Sequence, residues 1–234
     1  MYDIIIIGAG TAGIAAYKEA IKHTQNILII NDGPWDTTCA RVGCMPSKVL
    51  ISTANRMYDI QHAEEVSLNV ESKIDTSNVM SHVRQLRERF TAATIRDVNS
   101  WPSEHKISGK ASFKNANTIL VNNKEYQAKS FILAVGSTPT FDQKWKDELG
   151  EHLITSDQVF ELETLPKSIA VIGSGVIAIE LAQAMHRLGV NTTVFARSKK
   201  VGALTSPNLQ ELAQQTLSEE LNIPHIFTTD SHYL

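Results

Sequence analysis

Cys39 and Cys44 are the two cysteines of the chain, and they lie five positions apart in one short segment. Two thiols this close can interconvert between dithiol and disulfide, or they can bind a metal ion. Two cysteines with four residues between them match no common zinc pattern, and the eight histidines show no ligand spacing. The pair therefore predicts a catalytic disulfide and no metal site. The alternative is a pair of thiols that only pack at a helix start.

The spacing of the pair constrains its local structure. Five residues of α-helix advance about 7.5 Å and turn about 140°, beyond the usual Cα separation of a disulfide. One regular helix therefore cannot hold both cysteines. We expect Cys39 in an irregular segment and Cys44, with Pro46, in a first helical turn, where proline is tolerated. A thiolate near the positive end of a helix and near a lysine is stabilised, which favours nucleophilic attack.

A glycine-rich turn near the N-terminus predicts nucleotide binding. The β-branched run Ile4–Ile7 indicates a buried parallel strand, and a Gly-x-Gly-x-x-Gly pattern follows it at once. A helix from Ile14 to about Lys22 and a strand at Ile27–Ile30 complete a βαβ unit. The glycines permit the tight turn, the approach of a pyrophosphate and close helix packing. The predicted binding residues are Gly8, Ala9, Gly10, Thr11, Ala12 and Gly13.

The end of the second strand should carry a group for the ribose hydroxyls, usually a carboxylate. Asn31 stands there and can bond a hydroxyl, although more weakly because an amide is uncharged. Asp32 could substitute by a slip of one residue. It could equally be a turn residue before Gly33 and Pro34.

Composition restricts the class of protein. The chain has 234 residues, is 42% hydrophobic and carries a formal net charge of -3. A charge this small, without a Lys/Arg block, argues against a nucleic-acid surface. No apolar run approaches the roughly 18 residues of a membrane span, and the start of the chain lacks a basic region. We expect a cytoplasmic protein that acts on small molecules, without a membrane or nucleic-acid partner.

The glycine turn and the segment from Thr38 to Lys48 together resemble the pyridine nucleotide-disulfide oxidoreductases, most closely dihydrolipoamide dehydrogenase. Segments 132–139 and 171–180 are similar to the family's Ala-Thr-Gly-Ser-x-Pro segment and to its second dinucleotide turn. The resemblance implies FAD at the first turn and NADH or NADPH at the second. It further implies electron transfer from nicotinamide through flavin to the disulfide.

The same resemblance implies roles for individual residues. Cys44 would face the flavin, and Cys39 would exchange with a small-molecule or protein-bound dithiol or disulfide. Lys48 would lie near the flavin ring and pair with Glu180. Further implied FAD contacts are Thr38, Ala111, Ala134 and Gly136, and the implied NAD(P) contacts are Gly173, Gly175, Val176, Ile177 and Arg197.

Two departures from the family pattern concern the flavin site. Asp36 and Thr37 stand where the family usually has two glycines, which reduces backbone freedom and brings a carboxylate towards the site. Val135 replaces the usual threonine and removes a hydrogen bond of about 1 kcal/mol. Both changes are expected to weaken FAD affinity.

The middle of the chain predicts a helix and a β-meander. From Thr76 onward, apolar residues recur at helical spacing with charges between them, which indicates one long amphipathic helix. Strands are predicted at Ile107–Phe113, Thr118–Val121 and Tyr126–Val135, with a hairpin turn at Asn122–Asn123.

A second strand-turn-helix pattern follows. Strands are predicted at Ser168–Ile172 and Thr192–Phe195, with a helix at Glu180–Leu188 between them. The turn runs from Gly173 to Ala178, and Gly189 serves as the C-cap of the helix. Arg197 stands where a 2′-phosphate needs a cation, so NADPH is favoured over NADH. The alternative for Arg197 is an ordinary surface charge.

The predicted fold is α/β. A Rossmann-like three-layer FAD-binding domain with a β-meander would occupy residues 1–150, and an incomplete second dinucleotide-binding domain residues 151–234. Nothing in the tail, including His225 and His232, resembles the family's His-Glu pair. We therefore expect a truncated chain without the C-terminal domain through which the family forms homodimers. Two hypotheses follow: the N-terminal part of a disulfide reductase, or a flavin-binding or inert module without turnover.

Overall fold

A computed structural model describes residues 1–197, 200–220 and 225–227 of the chain. His232 therefore lies outside the described residues. The chain divides into two compact units: the first holds residues 1–45 and 86–150, and the second holds residues 46–85 and those from 151 onward. Residues 46–85 thus group with the later part of the chain.

The first unit contains six strands, which are β1 Tyr2–Ile7, β2 Ile27–Asn31, β3 Lys106–Ser108, β4 Ser112–Asn115, β5 Thr118–Val121 and β6 Lys124–Leu133. They form one sheet in the order β3-β2-β1-β6-β5-β4. The neighbours from β3 to β6 pair parallel, and β6, β5 and β4 pair antiparallel. This mixed sheet, a parallel Rossmann-like part extended by a meander, confirms the predicted fold class.

Within residues 1–150, the α-helices are α1 Thr11–Ala20, α2 Thr38–Arg41, α3 Cys44–Gln61, α4 Thr76–Asn99 and α5 Gln143–Leu149. Helix α4 is the long amphipathic helix that the apolar spacing predicts. Helix α1 begins at Thr11 rather than at Ile14, because its first helical hydrogen bond already runs from the N–H of Ile14 to the carbonyl of Gly10.

Both faces of the parallel strands are buried, as their unbroken apolar runs predict. One face packs against α1 and the end of α4 through Ile6, Ile14, Tyr17, Ile27, Ile29, Val98 and Trp101. The other face packs against the meander through Ile5, Leu28, Ile30, Ile119, Val121 and Ala128. Burial on two faces fixes the carboxyl ends of β1 and β2, where the glycine turn begins.

The predicted strand at Ile107–Phe113 is wrong as a single element. Gly109 interrupts it with φ +156°, and its N–H donates to the carbonyl of Asn31 at 2.9 Å. Its two halves therefore pair with different strands, β3 with β2 and β4 with β5. The hairpin turn is present as predicted, since Asn122 and Asn123 both have positive φ.

The second unit contains the strands β7 Ser168–Ile172, β8 Asn191–Ala196 and β9 His225–Phe227, paired parallel in that order. Its later helices are α6 Val176–Arg187 and α7 Pro207–Gln215. The C-cap of α6 is Leu188 rather than the predicted Gly189, which follows it in the left-handed conformation with φ +83°. Across the described ranges of the chain, no helix is both long enough and apolar enough to cross a membrane.

Candidate functional site

The first glycine turn is held by backbone contacts that leave no room for side chains. Gly8 adopts φ +103°, and its N–H donates to the carbonyl of Ile30 at 2.7 Å. A Cβ on Gly8 would lie 2.2 Å from the carbonyl oxygen of Ala134, and one on Gly13 would lie 1.8 Å from that of Gly8. The first and third glycines are therefore required by the fold itself.

Gly10 differs from Gly8 and Gly13 because the space where a Cβ would lie is open. A Cβ there would meet nothing within 4 Å. Gly10 is the N-cap of α1, and within this helix neither a capping side chain nor an acidic residue occupies the first turn. The first N–H groups of a helix have no helical partner, so this helix start presents donors and a positive dipole end to an anion.

The Asn31 side chain makes more hydrogen bonds within the chain than expected for a side chain that is free to bind a ribose. Its Oδ1 accepts from the N–H of Ala9 at 2.9 Å, and its Nδ2 donates to the carbonyls of Gly33 and Pro34 at 3.0 and 2.8 Å. Both amide donors are thereby committed, and one lone pair of Oδ1 remains. Asp32 is exposed in the adjoining turn.

The segment after β6 adjoins the same turn. The N–H of Ala134 donates to the carbonyl of Ile7 at 2.8 Å, and Gly136 follows with φ +70°. Val135 between them is 72% exposed. Ala111 lies elsewhere in the first unit, half-buried against the apolar cluster of the meander.

The cysteine segment forms two helices rather than an irregular stretch followed by one. Cys39 is the second residue of α2, which corrects the prediction, and Cys44 is the first residue of α3, as expected. Gly43 joins the helices closely, since a Cβ there would lie 3.1 Å from both the Cα of Cys39 and the carbonyl oxygen of Thr38. This break allows the two thiols to meet although no regular helix could.

The two thiols interact without a disulfide bond. Cys39 is half-buried and Cys44 is exposed. Burial and a hydrogen bond with Cys44 raise the pKa of Cys39 above its ordinary value. In the described part of the chain, no group of three His, Cys, Asp or Glu side chains could hold a metal ion. A neutral, partly desolvated thiol beside a second, accessible thiol is an arrangement suited to thiol–disulfide exchange.

Within the second unit, Lys48 Nζ donates to Glu180 Oε1 at 2.9 Å, with side chains 60% and 41% exposed. A cavity of about 190 Å³ adjoins this pair and is lined by Lys48, Ile51, Asn55, Glu180, Gln183, Ala184 and Arg187. Arg187 donates to Asn55 Oδ1 at 2.6 Å and lies over the ring of Tyr58. Sequence reasoning missed Asn55 and Arg187, although each lies seven positions after a member of the ion pair, on the same helical face.

The second glycine turn repeats the geometry of the first. Gly173 has φ +113° and donates its N–H to the carbonyl of Phe195 at 2.7 Å. Gly175 is the N-cap of α6 and has open space at its Cβ position. Helix α6 begins at Val176, earlier than predicted, and Val176 and Ile177 are 52% and 63% exposed.

The third position of this second turn is Ala178 instead of glycine. Arg197 lies directly after β8 and is exposed, at the same sheet end as the turn. The turn itself is closed by Ser174, whose Oγ donates to the carbonyl of Lys200 at 2.6 Å.

These features agree with a comparison of the whole sequence with known families. Residues 2–231 match the pyridine nucleotide-disulphide oxidoreductase family. The chain belongs to this family. Among curated members, it is 30% identical over 220 residues to a mercuric reductase of Lysinibacillus sphaericus, covering 94% of this chain and 40% of that protein. It is 29% identical over 224 residues to a dihydrolipoyl dehydrogenase of Mycoplasma genitalium, covering 94% and 49%.

Solved structures share the fold of this chain. The HOCl-induced flavoprotein disulfide reductase RclA from Escherichia coli, in a Cu(II) complex, superposes with a TM-score of 0.80 at 17% sequence identity. The match covers 98% of this chain and 49% of that one. The chain thus spans about half the length of this solved structure and 40% of the length of the mercuric reductase.

Proposed function

We propose that this chain carries the flavin site and the redox dithiol of an FAD-dependent NAD(P)H disulfide oxidoreductase, similar to dihydrolipoamide dehydrogenase. The observation that supports this most directly is the contact between the thiols of Cys39 and Cys44 at the start of α3. Membership of a family named for pyridine nucleotides and disulphides supports the same reaction class.

The residues of the first unit fit FAD. The open position at Gly10 and the uncapped start of α1 would receive the pyrophosphate, and the remaining lone pair of Asn31 Oδ1 would accept from a ribose hydroxyl. Asp32, Thr38, Ala111, Ala134 and Gly136 are proposed as further contacts. When bound, FAD would supply two-electron transfer between a nicotinamide and a disulfide.

The dithiol performs the exchange with substrate. In our proposal, Cys39 Sγ loses its proton and attacks one sulfur of a substrate disulfide, which forms a mixed disulfide and releases one substrate thiolate. Cys44 Sγ then attacks Cys39 Sγ, which forms the internal disulfide and releases the second substrate thiol. Burial raises the pKa of Cys39, so this thiol is protonated at neutral pH in the free chain.

The second unit is proposed to bind the nicotinamide nucleotide. The open Gly175 and the uncapped start of α6 offer the same anion site as the first turn, with the apolar side chains of Val176 and Ile177 exposed beside it. Arg197 is proposed to favour NADPH over NADH by pairing with the 2′-phosphate of NADPH. Lys48 and Glu180, already paired, are proposed to act beside the flavin.

The substrate is proposed to be a small-molecule or protein-bound disulfide, in the cytoplasm, where thiols stay reduced. Dihydrolipoyl dehydrogenases and glutathione reductases among the relatives support this class. For full-length proteins of the family, a homodimer is proposed. Because the chain spans 40–49% of its first relatives, we also propose that it has little turnover by itself.

The test is reconstitution of the purified chain with FAD, followed by NADPH-dependent reduction of lipoamide, glutathione disulfide and a dye. Stoichiometric FAD binding is expected, with reduction of the Cys39–Cys44 disulfide in a single turnover. A Cys44→Ser variant serves as the control. A chain that binds no FAD and keeps its disulfide in the presence of NADPH supports the inert-module hypothesis instead.

A further inference from the structure

We propose that Asp36 and Arg41 form a clasp that positions Cys39 for exchange with Cys44; this inference rests on the proposed function. The Asp36 side chain is 5% exposed, and its Oδ1 accepts a hydrogen bond from Arg41 Nε at 3.1 Å. The two residues precede and end helix α2, the helix that carries Cys39. Their ion pair therefore closes the turn around that thiol.

Other contacts fix the same turn. Thr37 Oγ1 accepts from the N–H of Ala40 at 3.0 Å and caps α2, and the N–H of Val42 donates to the carbonyl of Thr38 at 2.9 Å. Gly43 approaches Cys39 so closely that a Cβ would lie 3.1 Å from its Cα. The backbone of Cys39 is therefore held by the cap, by the clasp and by the glycine contact.

The burial of Asp36 separates this pair from ordinary surface ion pairs. Lys18 and Asp97 in the same unit lie 2.7 Å apart but are 53% and 40% exposed, a setting in which ion pairs contribute little. A carboxylate removed from water depends on its partner, because an unpaired buried charge is strongly unfavourable. The departure from the family's two glycines thus gives this chain a carboxylate that binds Arg41.

The clasp acts through the effective concentration of one thiol at the other. Glutathione disulfide oxidises the pair by taking both electrons: the Cys39–Cys44 bond forms, the glutathione S–S bond breaks, and the two thiol protons leave on two glutathione molecules. A turn that is already ordered loses less entropy when the internal bond closes. Loosening the turn should therefore lower the equilibrium constant of this exchange by about tenfold.

The experiment measures that constant on the full chain in glutathione redox buffers, with alkylation and mass spectrometry to count free thiols. The variants are Asp36→Asn, Arg41→Gln, the double variant and the control Asp97→Asn. Arg41→Lys tests whether charge alone restores the constant. Each single variant should lower the constant about tenfold, the double variant no further, and the control not at all. Tryptophan fluorescence, to which Trp101 stacked on Tyr17 contributes, and thermal unfolding verify that each variant is folded.

A merely structural role would lower the unfolding midpoint and leave the exchange constant unchanged. Folded Asp36→Asn and Arg41→Gln proteins with the wild-type constant would overturn the clasp. If Arg41→Gln, which leaves the buried Asp36 carboxylate without its ionic partner, fails to fold, Asp36→Asn decides alone, because it removes the buried charge and retains the cap at Thr37. A wild-type chain that forms no Cys39–Cys44 disulfide in any buffer would instead overturn the proposed function.

Discussion

Lys48 Nζ lies 2.9 Å from Glu180 Oε1, and this hydrogen-bonded ion pair joins α3 to α6 across 132 positions of sequence. Seven positions further along each helix, Arg187 donates to Asn55 at 2.6 Å. Two polar contacts therefore link the facing sides of these helices. Both members of the first pair keep considerable exposure, at 60% and 41%, which leaves them accessible to a ligand.

Glu180→Gln should separate a functional from a structural role of this pair. Because the pair is exposed, the free energy of unfolding should change by less than about 1 kcal/mol. If Lys48 and Glu180 act beside the flavin, reduction of bound FAD by NADPH should slow by roughly tenfold, equivalent to about 1.4 kcal/mol in the barrier. Stopped-flow absorbance measures this rate. Asp97→Asn, which breaks the exposed pair with Lys18, is the matched control, and equal rates in the two variants would contradict the role.

Alanine at Gly13 and at Gly10 should have opposite effects on folding and binding. A Cβ on Gly13 would overlap the carbonyl of Gly8, so Gly13→Ala should lower the free energy of unfolding by about 1–3 kcal/mol. Gly10→Ala meets open space and should cost less than about 1 kcal/mol, while FAD affinity falls because the methyl group occupies the pyrophosphate position. Chemical denaturation and FAD fluorescence titration provide both values. Unchanged FAD affinity in a folded Gly10→Ala chain would remove the first turn from the flavin site.

The pH dependence of Cys39 alkylation follows from its environment. Burial raises the pKa of this thiol, so in a Cys44→Ser variant the alkylation midpoint should lie above the ordinary thiol value of about 8.5. The same shift is linked to stability: the contribution of Cys39 is fully present below its unfolded pKa and is lost as pH rises through its folded pKa. Iodoacetamide rates of the native and the urea-unfolded variant give the comparison. A native midpoint at or below the unfolded one would show that the thiol is not desolvated.

The sequence alone predicts the parts of this fold that depend on local pattern. The β-branched run at Ile4–Ile7 identifies a buried strand, and the glycine spacing that follows identifies its turn. The break at Gly109 escaped prediction because it depends on a hydrogen bond to Asn31, a residue far away in sequence. The helical turn at Cys39 escaped prediction because α2 is only four residues long, too short to show an apolar period.

Arg197→Glu should discriminate between the two nicotinamide nucleotides. An exposed arginine directly after β8 can pair with a 2′-phosphate, so its replacement by glutamate should weaken NADPH binding by about tenfold or more and leave NADH binding nearly unchanged. Titration of the chain with each nucleotide measures both affinities. Lys167→Glu makes the same charge change just before β7, at the opposite end of the parallel sheet. If both variants weaken NADPH binding equally, Arg197 is an ordinary surface charge.

If the proposed function holds, bound flavin lies against the thiol of Cys44. The most direct measurement is the absorption spectrum of the FAD-reconstituted chain after addition of one electron pair. We predict a long-wavelength band in the wild type, where the electron pair rests on the dithiol and oxidised flavin contacts the Cys44 thiolate. In Cys39→Ser the band should be present before any reduction, because Cys44 cannot form the internal disulfide, and in Cys44→Ser it should be absent. A reconstituted chain that binds FAD and has two reduced thiols, yet lacks this band, would show that flavin and Cys44 are not in contact.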